Sequence, residues 1–130
     1  RGELADTMAL AAVVRRAIGQ RGWQRMDPAT RTFQALRIWV NGELDGLDSC
    51  IGRAVERLQP AGESTGGGRL AVIAFHSLED RIVKHAFRAM AHGDQRVVRI
   101  LTKRPVVAGD EEVAANPRAR SAKLRAVERR

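Results

Sequence analysis

The segment that most constrains the fold runs from Gly68 to Lys84 and reads GRLAVIAFHSLEDRIVK. Its first half, Leu70 to Phe75, is a short and nearly unbroken apolar run that follows a glycine-rich loop. Such a run is typical of a strand buried on both faces of a sheet, which favours a parallel strand. After His76 the apolar spacing becomes helical. The segment therefore predicts a strand, a tight turn and a helix.

The turn within this segment is the best candidate for a functional site. Ligands of open α/β sheets bind just outside the carboxyl ends of the strands, where strand-to-helix turns gather. His76 and Ser77 stand at such a turn, and Asp80 follows within the first helical turn. A simpler interpretation stays open, in which Ser77 only caps the helix, with Asp80 completing a capping box, and backbone groups satisfy His76.

Helical patterns precede this segment. Apolar residues at helical spacing predict an amphipathic helix from Glu3 to about Gln20, and Asp27-Pro28 is a strong signal for the start of another. An apolar stripe then continues from Phe33 to Leu58. Because a glycine inside a helix costs about 1 kcal/mol relative to alanine, we expect two helices broken near Gly42 and Gly46.

The loop AGESTGGG contains three consecutive glycines, Gly66 to Gly68, which resemble a phosphate cradle. In phosphate-binding loops, however, the order of elements is strand, glycine loop, helix. The order here is helix, glycine loop, strand. The loop is therefore expected to bind no cofactor, and its glycines argue against a packed role.

Two further strands are predicted after the central helix. The first is Val97 to Leu101, and the second is Ala122 to Val127, with one apolar and one basic face. An acidic loop from Ala108 to Asn116 separates them. Since no long helix intervenes, we expect an antiparallel pair at the edge of the sheet.

The charge of the chain favours a polyanionic partner. The formal net charge is +8 over 130 residues, and from Asn116 onward six cations face a single acid, Glu128. Cationic side chains release counterions from nucleic acid, which is the first candidate partner. Two alternative explanations stay open. A genome rich in G and C would also give many arginines, and individual cations could simply lie on solvated helix faces.

Several classes of protein are disfavoured. The single cysteine, Cys50, permits no internal disulfide and fits a reducing, cytoplasmic setting. No apolar stretch approaches the length of a membrane span. The three histidines lie far apart in helical phase, so no metal site is predicted.

Three blocks of sequence carry a family resemblance: DPATRTFQALRIWVNGELDGLD, GGRLAVIAFHSLEDRIVK and NPRARSAKLRAVER. In this order they resemble the carboxy-terminal part of the RsmH (MraW) family, S-adenosylmethionine-dependent methyltransferases that modify the exocyclic amine of a cytidine in small-subunit ribosomal RNA. The resemblance implies an α/β fold, a partial Rossmann-like class I methyltransferase sheet. The chain would supply its last three strands, with the final strand antiparallel and inserted between the other two. Residues 1–29 would end an inserted helical domain, and residues 30–130 would be the carboxy-terminal part of the methyltransferase domain.

The same resemblance implies what the chain lacks. In the family, the cofactor loop and the proposed catalytic turn lie on earlier strands. S-adenosylmethionine is therefore expected in the complete enzyme, whereas this chain alone is expected to bind no cofactor and to need the missing amino-terminal half. No catalytic role can be assigned, and His76, Ser77 and Asp80 are expected to line the pocket. The residues predicted to contact RNA phosphates are Arg31, Arg37, Arg118, Arg120, Lys123 and Arg125.

Two other interpretations stay open. The chain could be a non-catalytic basic module that binds RNA or assists assembly. Alternatively, an exposed strand edge where the preceding strand is missing could pair with a second copy, giving a homodimer.

Overall fold

The computed structural model describes residues 6–19, 27–93 and 96–130. The chain forms two compact units, which divide between Asp45 and Gly46. The sequence placed a domain boundary at residues 29 and 30 instead. The assignment of either part to a domain of a longer enzyme stays a prediction.

The first unit contains two packed helices, α1 (Thr7–Ile18) and α2 (Pro28–Asn41). Asp6 caps α1, and Asp27 caps α2 by accepting a hydrogen bond from the backbone N–H of Ala29. Asp27 also forms an ion pair of 2.6 Å with Arg15 of α1. The predicted helix start at Asp27-Pro28 is confirmed.

The predicted break in the long apolar stripe is also confirmed. Helix α2 ends at Gly42, and the next helix, α3 (Leu47–Glu56), begins after Gly46. Both glycines have positive φ, 59° and 70°, a conformation that costs little only for glycine. These two positions therefore turn the chain between the helices.

The second unit is a mixed α/β structure that begins with α3. Its further elements, in chain order, are β1 (Arg69–Ala74), α4 (Ser77–His92), β2 (Val98–Ile100), β3 (Val106–Val107), α5 (Asp110–Ala115), a short 3-10 helix (Pro117–Ser121) and β4 (Lys123–Arg129). The strand, turn and helix predicted around residue 76 are confirmed. The prediction of an acidic loop from Ala108 to Asn116 is wrong over the centre of that range, because Asp110–Ala115 is helical.

The sheet has β4 at its centre. Its order is β1-β4-β2, with β3 paired to the start of β4. Strand β4 runs antiparallel to both β1 and β2, so the last strand lies between the two earlier ones, as the resemblance implied. The prediction that β1 is a parallel strand is wrong for the ladder seen here, since β1 pairs antiparallel with β4. The last strand is likewise central rather than an edge strand.

Helices cover one face of the sheet, and on the opposite face part of β1 is exposed among the described residues. Helices α3 and α4 supply the cover, and the buried cluster comprises Ile51, Val55, Val83, Phe87, Val98 and Val127. On the opposite face, Ile73 of β1 remains 54% exposed. Among the described residues, β1 is therefore not buried on both faces, contrary to the sequence prediction.

The glycine loop is packed, which corrects another prediction. A methyl group on Gly67 would overlap the backbone oxygen of Arg129. The backbone N–H of Gly68 donates to the carbonyl of Gln59, and its own carbonyl accepts from the N–H of Arg129. The loop therefore closes against the end of β4, and the glycines are needed because two backbones meet there.

Candidate functional site

The turn between β1 and α4 is held by a capping box centred on His76. The extended backbone of His76 precedes the first residue of α4, and its Nδ1 accepts a hydrogen bond of 3.3 Å from the N–H of Glu79. In return, Glu79 Oε2 accepts from the N–H groups of Phe75 and His76, at 2.9 and 3.2 Å. Each of the two side chains thus accepts a hydrogen bond from the backbone N–H of the other residue, a donor that would have no partner within the helix.

The predicted cap at Ser77 is therefore wrong. Ser77 is already the first helical residue, and the imidazole of His76 occupies the place that a serine hydroxyl would take. The partner in the box is Glu79 rather than Asp80. Sequence reasoning missed Glu79, although a glutamate three residues after the cap is the usual signal, because histidine is not among the preferred capping residues.

This capping arrangement fixes the tautomer of His76. Since Nδ1 accepts a hydrogen bond, the neutral ring carries its proton on Nε2. Nε2 is buried and, within residues 6–19, 27–93 and 96–130, has no hydrogen-bond partner. Glu79 Oε1 lies 3.4 Å away, an ion-pair distance without hydrogen-bond geometry. A buried donor without a hydrogen-bond partner is rare, so Nε2 is a polar group of this turn that the described contacts do not explain.

Asp80 serves a different purpose. Arg125 Nε and Nη2 donate to its two carboxylate oxygens at 2.6 and 3.2 Å, and the two side chains are only 14% and 9% exposed. The hydrogen bond from Arg125 lowers the pKa of Asp80 in spite of desolvation. Asp80 is therefore a carboxylate engaged in joining α4 to β4.

The cations before β4 and at its start lie at the same end of the sheet as His76. Ala74, the last residue of β1, is paired in register with Lys123, the first residue of β4. The 3-10 helix directly precedes Lys123 and is anchored by the buried Ala119. Arg118 and Arg120, on either side of Ala119, are exposed. We refer to His76, Arg118, Arg120 and Lys123 as the rim.

Three of the predicted RNA-contacting residues lie elsewhere or are engaged. Arg125 is held by Asp80. Arg31 and Arg37 belong to α2 of the first unit, where Arg37 donates to Glu43 at 2.9 and 3.1 Å, and Arg31 is exposed. An RNA contact by each of the six residues stays a prediction.

Neither a metal site nor a membrane-spanning helix is found in the part of the chain that the structure describes. It contains no group of three or more histidines, cysteines and carboxylates that could hold a metal ion. None of its helices combines the length and the apolarity that a membrane crossing requires.

Comparison with known proteins identifies the family. The model of the MraW methylase family matches residues 1–130. The chain belongs to the MraW methylase family.

Curated relatives of this MraW-family chain carry a more specific name. The ribosomal RNA small subunit methyltransferase H of Sorangium cellulosum is 56% identical over 98% of the chain, and that of Geobacter sulfurreducens is 51% identical over 98%. The protein of the same name from Pelobacter propionicus is 49% identical over 97%. The chain spans 37% to 44% of the length of these relatives.

Proposed function

We propose that this chain is the RNA-facing, carboxy-terminal part of an S-adenosylmethionine-dependent methyltransferase that modifies the exocyclic amine of a cytidine in small-subunit ribosomal RNA. The family match over the whole chain and the names of the relatives support the reaction. The observation that carries the proposal is the rim, where the unpartnered Nε2 of His76 lies at the same end of the sheet as Arg118, Arg120 and Lys123. The proposed substrate implies a cytoplasmic location.

In this proposal the residues of the rim align the substrate. Nε2–H of His76 donates a hydrogen bond to the target nucleotide, and the cations of the rim bind phosphates on either side of it. The ion pair between Asp80 and Arg125 holds the start of α4 against β4 and so keeps the rim in register. Alignment of the acceptor amine contributes much of the acceleration in a group transfer of this kind.

The residues of the chain do not fit a complete cofactor pocket. Its glycine loop follows a helix, and Gly67 packs against the backbone of Arg129, whereas phosphate-binding glycine loops precede a helix. We therefore propose that S-adenosylmethionine binds to the missing amino-terminal half, on the earlier strands of a Rossmann-like sheet that β1, β4 and β2 complete. The isolated chain should not transfer methyl groups.

The test compares the isolated chain with the complete enzyme that contains it. Small ribosomal subunits that lack the modification are incubated with labelled S-adenosylmethionine, and incorporation into RNA is measured. We expect transfer by the complete enzyme and none by the chain. Methylation by the chain alone, or no methylation of small subunits by the complete enzyme, would contradict the proposal.

A non-catalytic module that binds RNA is the second candidate, favoured by the six cations against one acid after residue 115. It predicts RNA binding without methyl transfer in the complete protein. A homodimer stays a further prediction, since no strand among the described residues pairs with the outer edge of β1. Light scattering on the chain would detect it.

A further inference from the structure

A groove between α4 and β2 lies outside the rim and has the features of an anion-binding site. It encloses about 380 Å³, which is within the size range of ligand sites. Lys84, Arg88 and His92 line one wall, and Lys103 lies on the β2 side. Arg130 also lines the groove, and none of the described lining residues has a carboxylate side chain.

Most of the positive charge in the groove is uncompensated. Arg125 and Arg99 also line it, but Asp80 and Glu128 neutralise them at 2.6 and 2.8 Å. By contrast, the described residues place no carboxylate within ion-pair distance of the groups on Lys84, Arg88 and Lys103. Lys84 is attracted only at longer range by Asp80, the carboxylate that already pairs with Arg125. Positive charge therefore remains in the groove, which favours an anion from solution there.

The arrangement of these hydrogen-bond donors fits an extended polyanion. Lys84, Arg88 and His92 are four residues apart on α4, so they follow one another at intervals of about 6 Å along the helix axis. A single phosphate would be surrounded by converging donors, whereas these donors form a row. The row is the pattern expected for a strand of nucleic acid that is bound through successive phosphates.

The topology connects this row to the rim. Strand β1 and strand β2 both run antiparallel to β4, and α4 starts at His76, where β1 ends. The groove therefore starts with Lys84 and Lys103 near the end of the sheet where the rim lies, and it leads away from that end toward His92. A strand whose target nucleotide lies at the rim can continue along the groove.

We propose that the groove between α4 and β2 binds the phosphate backbone of the RNA that flanks the target nucleotide. This inference rests on the proposed function for the identity of the RNA, but its test needs only binding. The groove supplies affinity that is independent of sequence, because phosphate contacts carry no base information.

The experiment measures binding of a fluorescently labelled single-stranded RNA by the 130-residue chain at several salt concentrations. We expect the double variant Lys84→Gln with Arg88→Gln to bind about tenfold more weakly and to reduce the salt slope by about 1.4, which is about 0.7 for each phosphate that is no longer neutralised. Lys84→Arg with Arg88→Lys should restore the slope. Circular dichroism confirms that each variant is folded.

The matched control is Arg53→Gln, since Arg53 is an exposed arginine of α3 that does not line the groove. If the double variant and the control have the same salt slope, the proposal is wrong. Preference for polyglutamate over the RNA would also overturn it, by indicating an acidic protein as the occupant. Because methyl transfer is not measured, failure of the proposed function and failure of the groove proposal would be seen separately.

Discussion

The two ends of β4 differ in how completely their polar groups are paired. At residues 127–129, Glu128 accepts from Arg69 and Arg99 at 2.9 and 2.8 Å, and Arg129 donates to the carbonyls of Glu56 and Leu58. The glycine loop closes over the same end. We refer to it as the anchored end.

At residues 123–125 the pairing is incomplete. Asp80 and Arg125 form a closed pair, but the rim next to them keeps exposed cations and the unpartnered Nε2 of His76. Polar groups that are left without partners cost stability. The anchored end therefore contributes more paired contacts to the sheet, and the rim is the end where we propose that substrate binds.

The largest effect is expected from Gly67→Ala at the anchored end. The added methyl group would overlap the backbone oxygen of Arg129, so the loop or the strand must move. We expect the free energy of unfolding to fall by about 3 kcal/mol, as overpacking of this kind does. Urea denaturation measures it.

The control for this substitution is Gly66→Ala in the same loop, where the nearest atom to the new methyl group would be Glu128 Oε2 at 4.0 Å. It should change stability little. Equal destabilisation by the two variants would show that the anchored end depends on loop flexibility and not on the close backbone approach.

Asp80→Ala is expected to cost about 2 kcal/mol, because it leaves the guanidinium of Arg125 buried and unpaired. The double variant Asp80→Leu with Arg125→Met should recover part of this loss. If the double variant is less stable than Asp80→Leu alone and Arg125→Met alone, the ion pair is not the source of the lost stability.

The ion pair of Asp80 also makes the free energy of unfolding depend on pH. Its pKa is lowered from the ordinary value of 3.8, chiefly by the hydrogen bond from Arg125. The folded state thus binds a proton less readily than the unfolded state, so the stabilisation is present above pH 3.8 and is lost as the pH falls through the lowered pKa. The difference in stability between wild type and Asp80→Ala should shrink in acid, and a constant difference would contradict this sign.

Two substitutions of His76 distinguish its effect on stability from its effect on substrate binding. His76→Ala removes a helix cap and should cost about 1 kcal/mol. His76→Asn retains a capping acceptor but not the donor at Nε2, so the variant should stay nearly as stable as wild type while methyl transfer by the complete enzyme falls. Full activity of His76→Asn would leave Nε2 without a role.

The smallest effect on stability is expected at the exposed cations of the rim. Arg118→Gln and Arg120→Gln should each change the free energy of unfolding by less than about 0.5 kcal/mol. They should nevertheless lower the salt slope of RNA binding by about 0.7 each. Arg57→Gln, an exposed arginine next to the anchored end, serves as the control, and an equal slope for all three variants would remove the distinction between the two ends.

Much of the fold followed from local patterns. The start of α2 at Asp27-Pro28, the break at Gly42 and Gly46, and the strand, turn and helix around His76 depend on neighbours in the chain. Such features are encoded by spacing, by capping residues and by glycines with positive φ. The family was equally accessible, since its sequence blocks are contiguous.

The candidate site was only partly predictable. The turn was identified, but the sequence assigned the cap to Ser77 and the box to Asp80. A histidine cap is uncommon, and Asp80 faces a partner 45 residues further along the chain. The RNA role given to Arg125 followed from the excess of cations after Asn116, a count that contains no information about the ion pair with Asp80.

By itself, the sequence determined the longer helices and the main strands with their approximate bounds, the excess of positive charge and the membership of the family, whereas β3, α5 and the short 3-10 helix were not predicted. Only the tertiary structure decided which cations are neutralised and which are available. It placed Arg125 against Asp80, Glu128 between Arg69 and Arg99, and Gly67 against the backbone of β4. The physical reason is that hydrogen bonds, ion pairs and close contacts act over a few ångströms, and the groups that meet here are separated along the chain by 29 to 62 residues.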